Sequence, residues 1–471
     1  MIPVTEYAGR DVAVFGLGRT GLSAAKALAV GGARVHAWDD DEATRNRAVE
    51  AGVTLSDINK RDWQGFAALV LSPGVPYRYP QPHRLVRMAE SVGVPIVGDM
   101  ELFARAVQAL PERGWPKVVG ITGTNGKSTT TALIGHILRH AGMDARVGGN
   151  IGQGVLDMAA LHANAVYVLE LSSYQLDLVK SLHCNVAVFL NLSADHLDRH
   201  GSMENYLAAK KRIFAGQQAN DTAVIGVDDL YSQSLSLELK RSPARVWPIS
   251  SDFALGKGVS AVGGHLFDSL SGKSVCVGDL GGAPALRGSH NHQNVAAAFA
   301  ACRALGVDAK TILAGIENFP GLPHRLEIVA EKAGVTFIND SKATNAQAAS
   351  QALKAFDRVY WIAGGKSKAE GIAPLEAYFP KVAKAYLIGE AEEAFAKTLK
   401  GKALVRKSGT LEAAVADAFA DARASGEENP VVLLSPACSS FDQFSDFEAR
   451  GEAFRMAVET LREEAAEVET A

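Results

Sequence analysis

Four cysteines in 471 residues is little, and none of them stands in a C-x-x-C pair. Cys184, Cys276, Cys302 and Cys438 are far apart in the chain, which excludes the paired spacing of structural metal sites and dithiol redox centres. They read as reduced packing residues of a cytosolic protein. Long apolar runs are missing too: no unbroken stretch approaches the roughly 18 residues that a membrane-spanning helix needs. Met1 to Tyr7 lack the basic start and apolar core of a secretory signal, so the expectation is an unanchored, cytoplasmic protein. An excess of one charge is also absent. Lys plus Arg number 48 against 52 Asp plus Glu, a net charge of −4, so no uniform positive field exists to hold a nucleic-acid backbone. Small anionic ligands remain open to local sites. Neither an internal repeat nor a low-complexity tract is visible, and the acidic end from Glu463 to Glu469 reads as a solvated helix terminus.

What is present is globular. With 47% hydrophobic and 21% charged residues, the chain has room for about three domains at roughly 150 residues each. Short β-branched runs ending in Gly, Ser or Asp recur, most of them followed by Ala and Leu at helical spacing, which is α/β patterning. The runs are Val12 to Phe15, Ala33 to Trp38, Ala68 to Leu71 and Pro95 to Val97, then Lys117 to Thr122, Val166 to Leu171 and Val186 to Leu192. A Gly-rich region of short strands around 222 to 285 and an Ala-rich helix from Asn294 to Leu305 follow. Further strands are predicted at Val335 to Ile338, Arg358 to Ala363, Ala385 to Ile388 and Val431 to Leu434. The turn-rich stretch Pro111 to Pro116 suits a linker, and Gly321-Leu322-Pro323 breaks the pattern. Domains are therefore expected over 1–105, 106–321 and 322–471.

Two glycine loops carry the first chemical signals. Gly16-Leu17-Gly18-Arg19-Thr20-Gly21 follows a strand and opens a helix, with Asp39 at the end of the next strand, the context of a dinucleotide fingerprint. Its glycines allow a tight turn whose N–H groups and helix dipole meet a phosphate. Alone, this motif favours an NAD-dependent oxidoreductase. The second loop is more telling. Gly123-Thr124-Asn125-Gly126-Lys127-Ser128-Thr129 lies between a strand and a helix, as a phosphate-binding loop does, with Lys127 to neutralise phosphate and the Ser128 hydroxyl to ligate magnesium. It departs from G-x-x-x-x-G-K-[ST], since the early glycine stands at Gly120 and not at position 121.

Strand ends supply acids for a magnesium site: Glu170, and Asp195-His196-Leu197-Asp198, where Asp195 could equally cap a helix. His196 and His200 are four apart, but Leu197 occupies the position where a zinc protease needs Glu, so that class is excluded. A dehydrogenase has no use for the second loop. A non-catalytic nucleotide sensor could keep it. In the predicted helix Met203 to Phe214, the residues Met203, Tyr206, Leu207, Lys210, Ile213 and Phe214 share one face. Lys210 is the lone charge of an apolar stripe, while Lys211 and Arg212 are expected in solvent. Burial favours a neutral amine, and a neutral amine can add carbon dioxide.

Over its whole length the chain resembles the Mur ligase family, the ATP-dependent amino-acid ligases of peptidoglycan precursor synthesis. That family's loop is G-T-N-G-K-[ST], as at Gly123 to Ser128, which accounts for the spacing. Gly16 to Ser23, Leu171-Ser172-Ser173-Tyr174-Gln175, Asp340-Ser341-Lys342-Ala343-Thr344-Asn345 and Leu434 to Gln443 resemble the branch that adds D-glutamate to UDP-N-acetylmuramoyl-L-alanine. The resemblance implies an α/β protein of three domains: a Rossmann-like UDP-binding domain, a central P-loop ATPase-like domain and a C-terminal Rossmann-like domain. It implies that Gly16, Leu17, Gly18, Arg19, Thr20, Asp39, Asp40 and Ser72 hold the UDP end and Asn150 the muramoyl peptide. ATP would sit on Gly123 to Thr129, with Asn291, Asn294, His324, Arg325 and Asp340. Ser128 and Glu170 would bind one magnesium, and His196 with a carboxylated Lys210 a second. Lys342, Thr344, Lys368, Ser440 and Phe447 would line the D-glutamate pocket. One departure stands out: the family's G-G-D-x-K reads Gly364-Gly365-Lys366-Ser367-Lys368 here, which leaves Lys366 and Lys368 both open as carboxylate partners. The implied reaction passes through an acyl phosphate and ends with ADP and phosphate. A monomer acting on small molecules, without nucleic acid or membrane, is expected.

Overall fold

The computed structural model describes residues 1–286, 291–366 and 371–461. They form two compact units, Met1–Phe319 and Pro320–Ala471. Among the described residues no helix is long and apolar enough to cross a membrane.

The first unit holds two sheets. Strands β1 (Asp11–Phe15), β2 (Arg34–Trp38), β3 (Ala68–Leu71) and β4 (Ile96–Val97) pair in parallel in the order β2-β1-β3-β4. The order reverses between β1 and β3, and ligands of open α/β sheets bind outside the carboxyl ends of the strands at such a reversal. Gly16 and Ser72, which follow β1 and β3, stand there. The larger sheet comprises β5 (Lys117–Thr122), β6 (Asp144–Gly149), β7 (Ala165–Glu170), β8 (Val186–Phe189), β9 (Thr222–Gly226), β10 (Arg245–Ser250), β11 (Val259–Val262), β12 (His265–Asp268) and β13 (Val275–Asp279). Its order is β13-β12-β11-β10-β9-β8-β5-β7-β6. All pairs are parallel except β11–β12 and β12–β13. Here the reversal flanks β5, so the loop after β5 lies beside the ends of β7 and β8.

Alternation along the central strands divides the apolar residues between two cores. Tyr167, Leu169, Ala187, Phe189, Ala223 and Ile225 pack toward one face. Val119, Ile121, Val166, Val168, Val188 and Val224 pack toward the other, under helices Lys127–His140 and His292–Ala304. Both faces are covered, which is why β7 and β8 are apolar at nearly every position.

The second unit is built on β14 (Glu327–Lys332), β15 (Val335–Asn339), β16 (Val359–Gly364), β17 (Val382–Ile388), β18 (Val405–Gly409) and β19 (Val431–Leu434), in the order β14-β15-β19-β16-β17-β18. Only β14 is antiparallel. Trp361, Ala363, Leu387 and Leu433 fill one face, and Tyr360, Ile362, Tyr386 and Leu434 the other. The buried Trp361 indole donates to the Ser435 carbonyl at 2.8 Å, the partner such a ring needs in a core.

The sequence expectation differs from the structure in places with physical reasons. Strands β6, β14 and β18 escape pattern reading because they are short of apolar alternation: Asp144, Arg146 and two glycines in β6, half-exposed Glu327 to Lys332 in β14, and Arg406, Lys407 and Ser408 in β18. The β8 run ends at Phe189, and Leu190 to Leu192 turn away to brace the phosphate loop. Helix Met203–Lys211 passes into a 3-10 turn, Arg212–Phe214. Arg212 is not solvated as expected; it donates to the carbonyls of Asp177 at 2.8 Å and Val179 at 3.3 Å. The Glu463 to Glu469 segment lies outside the described residues.

Candidate active site

The loop after β5 is held from several sides. Thr124 N donates to the Asn191 carbonyl and Asn125 N to Asn191 Oδ1, each at 2.9 Å. Asn191, two residues beyond β8, thus shapes the loop's first half, and the Asn191 amide group donates to Gln293 Oε1 at 2.7 Å. Gly126 closes the loop with φ of 82°, and a Cβ there would stand 2.1 Å from Asn294 Oδ1. Glycine is required at this position on both counts. Asn294 also accepts from Thr130 Oγ1 at 3.2 Å and donates to Asn291 Oδ1 at 3.0 Å. Asn291 occupies the N-cap position of its helix without a side-chain capping bond. Asn294 thus packs against the phosphate loop at Gly126, and Asn291 is linked to it through Asn294.

Lys127 Nζ donates to the carbonyls of Gly123 at 3.0 Å and Thr124 at 2.8 Å. Lys210, 1% exposed, reaches the same Gly123 carbonyl at 2.7 Å and Thr122 Oγ1 at 3.4 Å, with its nitrogen over the Tyr206 ring. Burial first and the Lys127 charge second hold the Lys210 ammonium well below the usual lysine range, against the pull of Asp195 and Glu170. The stripe predicted for this helix is borne out at Tyr206, Lys210, Ile213 and Phe214, all buried.

Glu170 ends β7 in a buried position. Its Oε1 accepts from the Asn150 amide at 2.7 Å, while its Oε2, also buried, has no hydrogen-bond partner among the described residues. Asp195 Oδ1 accepts from the His196 N–H at 2.9 Å, and His196 itself sits at φ of 54° ahead of helix Leu197–His200. The His196 ring lies 5.1 Å from Tyr174 and 6.3 Å from Tyr206, centroid to centroid. His200 instead turns inward onto Ser173 Oγ at 2.9 Å, and burial lowers its pKa. Ser128 and Thr129, half-buried, open the helix behind the loop. No cluster of three His, Cys, Asp or Glu side chains suited to a metal occurs among the described residues.

In the smaller sheet of this unit, Asp39 accepts from the Leu17 N–H at 2.6 Å and so fixes the glycine loop, while Thr20 and Ser72 hydroxyls meet at 3.4 Å. A Cβ on Gly21 would come within 1.7 Å of the Gly16 carbonyl, hence the glycine. Gly18 is the N-cap of the helix that follows. Asp40 pairs with Arg84 at 2.9 Å. Two crossings that sequence reasoning did not find join the sheets. Arg19 donates to the carbonyls of Gly152 at 3.0 Å and Asn150 at 3.3 Å. Arg199 donates back to the carbonyls of Gly74 at 2.9 Å, Val75 at 3.1 Å and Pro73 at 3.4 Å, with its guanidinium over the Tyr174 ring.

The remaining candidates lie in the second unit. His324, at φ of 61°, is buried against Asn339 Nδ2 at 3.0 Å, and its carbonyl accepts from Lys342 N at 3.0 Å. Asp340 accepts from Ser435 Oγ at 2.8 Å and from Leu326 N at 3.3 Å; burial pushes its pKa up to about 7, against these bonds and the nearby Arg325 charge. Lys342 Nζ stands 3.8 Å from the centre of the Phe447 ring. Thr344 N donates to the Lys342 carbonyl at 2.9 Å, and the buried Ser440 accepts at its carbonyl from Phe444 N at 2.8 Å. Lys366 exchanges bonds with Ser439. Lys368 lies outside the described residues.

Comparison with known proteins gives a consistent picture. Residues 121–302 match the family model for the Mur ligase middle domain, and residues 324–438 that for the Mur ligase glutamate ligase domain. The chain is 56% identical over 467 residues to the UDP-N-acetylmuramoylalanine--D-glutamate ligase of Caulobacter sp. (strain K31), covering 99% of each. It is 56% identical over 462 residues to the protein of the same name from Phenylobacterium zucineum (strain HLK1), covering 98% of each. Among solved structures, the UDP-N-acetylmuramate-alanine ligase of Thermotoga maritima has a TM-score of 0.58 at 17% identity, over 96% of this chain and 99% of that one, a likeness of fold.

Proposed function

The chain belongs to the Mur ligase family, and on that premise we propose that it joins D-glutamate to UDP-N-acetylmuramoyl-L-alanine at the expense of ATP, in the cytoplasm, as a monomer, with no nucleic-acid or membrane partner. The observation that carries this is the meeting of Lys127 and Lys210 on the Gly123 carbonyl inside a Gly-Lys-Ser loop, in a chain whose relatives bear that ligase name over their full length. The division of labour follows the sequence reading. Residues 1–105 take the UDP end through Gly16 to Thr20, Asp39, Asp40 and Ser72; residues 106–321 take ATP; residues 322–471 take D-glutamate through Lys342, Thr344, Lys368, Ser440 and Phe447.

A carboxylate is a poor electrophile, so the alanyl carboxylate first accepts the γ-phosphoryl group, and the amine of D-glutamate then displaces phosphate to form the amide. Phosphoryl transfer asks the protein for alignment and charge. Lys127 supplies charge at the terminal phosphates, Asn191 and Asn294 fix the loop, and Asn150 orients the muramoyl peptide beside Glu170. The residues present fit magnesium: Glu170 keeps a buried oxygen without a partner among the described residues, and Ser128 follows Lys127 directly. Ser128 and Glu170 would hold one ion, and His196 with carboxylated Lys210 a second. Magnesium bound there neutralises phosphate oxygens. Carboxylation is within reach of a neutral amine: the nitrogen lone pair attacks carbon dioxide, a C–N bond forms, and a proton leaves to solvent.

Phosphate release on adding ATP and the UDP substrate with a panel of amino acids tests the reading. D-glutamate alone should support release; release with another amino acid, or with none, would overturn it.

A further inference from the structure

Arg450 is among the largest fully buried side chains, 1% exposed, on helix Phe447–Thr460. Its Nε donates to Ser341 Oγ at 3.0 Å, and its Nη2 to the carbonyls of Ser341 at 2.9 Å and Cys438 at 3.0 Å. Ser341 Oγ in turn donates to the Phe447 carbonyl at 2.8 Å. Nη1 is buried without a hydrogen-bond partner among the described residues, and a Cβ on Gly365 would stand 3.1 Å from it. One guanidinium thus lies beneath four segments: Ser341 precedes Lys342, Cys438 precedes Ser440 by two residues, Phe447 opens its own helix, and Gly365 precedes Lys366.

The acceptors it meets are neutral oxygens. Burial lowers its pKa to about 10, which leaves it charged at neutral pH. A neutral donor could make the same bonds without desolvating a charge; the Asp442 carboxylate, through space and with no hydrogen bond to the guanidinium, offsets only part of that cost. In a dry interior its field is weakly screened, so an anion arriving nearby offsets that cost. We infer that Arg450 is a positioning residue that sets the charge preference of the amino-acid site: it seats Ser341 and Cys438 from beneath, and its charge favours a dicarboxylate over a neutral-ended analogue of the same shape. This rests on the reading that the second unit takes D-glutamate.

Glutarate and its monoamide share a carbon chain and differ by one charge. Both are run as competitors of D-glutamate in the phosphate-release assay, on the full chain, and the ratio of their inhibition constants is read. Arg450→Met and Arg450→Gln should lower the preference for glutarate by about tenfold, while Arg450→Lys keeps it even if the KM for D-glutamate rises. Ser341→Ala, which removes an acceptor and leaves the charge, should weaken both competitors equally. If Arg450→Met does not fold, Arg450→Gln decides, since its amide nitrogen falls where Arg450 Nε stands and can still donate to Ser341 Oγ. An unchanged ratio in the folded neutral variant overturns the inference. Failure of the unsubstituted chain to release phosphate with D-glutamate would overturn the underlying reading instead.

Discussion

The Lys127 and Lys210 ammonium groups share one acceptor: both donate to the Gly123 carbonyl, at 3.0 and 2.7 Å. Two cations cannot both be comfortable there, and the buried one yields, so Lys210 carries the depressed pKa.

Replacing Lys127 with Ala should leave melting unchanged and cut turnover by about a hundredfold or more, since one of the few charges at the phosphates is lost. The Lys210 pKa should rise as its second-largest perturbation disappears. Retained turnover would break the phosphate-loop assignment.

Lys210→Ala should lose activity and recover part of it with added short carboxylic acids. Carbon-13-labelled carbon dioxide should give a carbamate resonance in the unsubstituted protein that the variant lacks. A fully active variant would remove Lys210 from the chemistry.

Gly126→Ala forces a side chain into a left-handed backbone and against Asn294 Oδ1. A loss of about 1–3 kcal/mol in stability and a raised KM for ATP are expected, with the KM for D-glutamate unmoved. Calorimetry and initial rates check both.

Asp340 titrates near 7 in the folded chain against an ordinary value of 3.8. The folded state therefore holds the extra proton between those limits, so its contribution is complete below 3.8 and lost as pH rises through 7. The stability of the unsubstituted chain relative to Asp340→Asn should fall by up to about 1.4 kcal/mol per pH unit across that window. Taking the difference removes Asp99, whose carboxyl burial likewise raises to about 6. A pH-independent difference would show that Asp340 is ionised throughout.

The placement of motif residues in loops and at strand ends was legible: the positions of Gly123 to Thr129, Glu170, Asp39 and the helical face of Lys210 all follow from local spacing. Partners brought by the fold were not. Asn191 reads as an ordinary loop residue until β8 is laid beside β5, and Arg199 as one more charge until its carbonyl acceptors, more than a hundred residues away, are seen. Arg450 was hidden because a lone arginine carries no signal of burial in sequence, and only tertiary packing buries the guanidinium. Polar edge strands such as β18 lack the alternation that pattern reading needs.

The Arg19 and Arg199 crossings run in opposite directions, each handing a guanidinium from one sheet's loop to backbone carbonyls beside the other. Carbonyl acceptors cannot be altered by substitution, so these two crossings tolerate drift in the side chains around them and depend only on the two arginines. For protein fragmentation, they make the turn Pro111 to Pro116 a natural cleavage point: two pieces cut there each carry half of a reciprocal lock, which equips them to reassociate as a complementing pair.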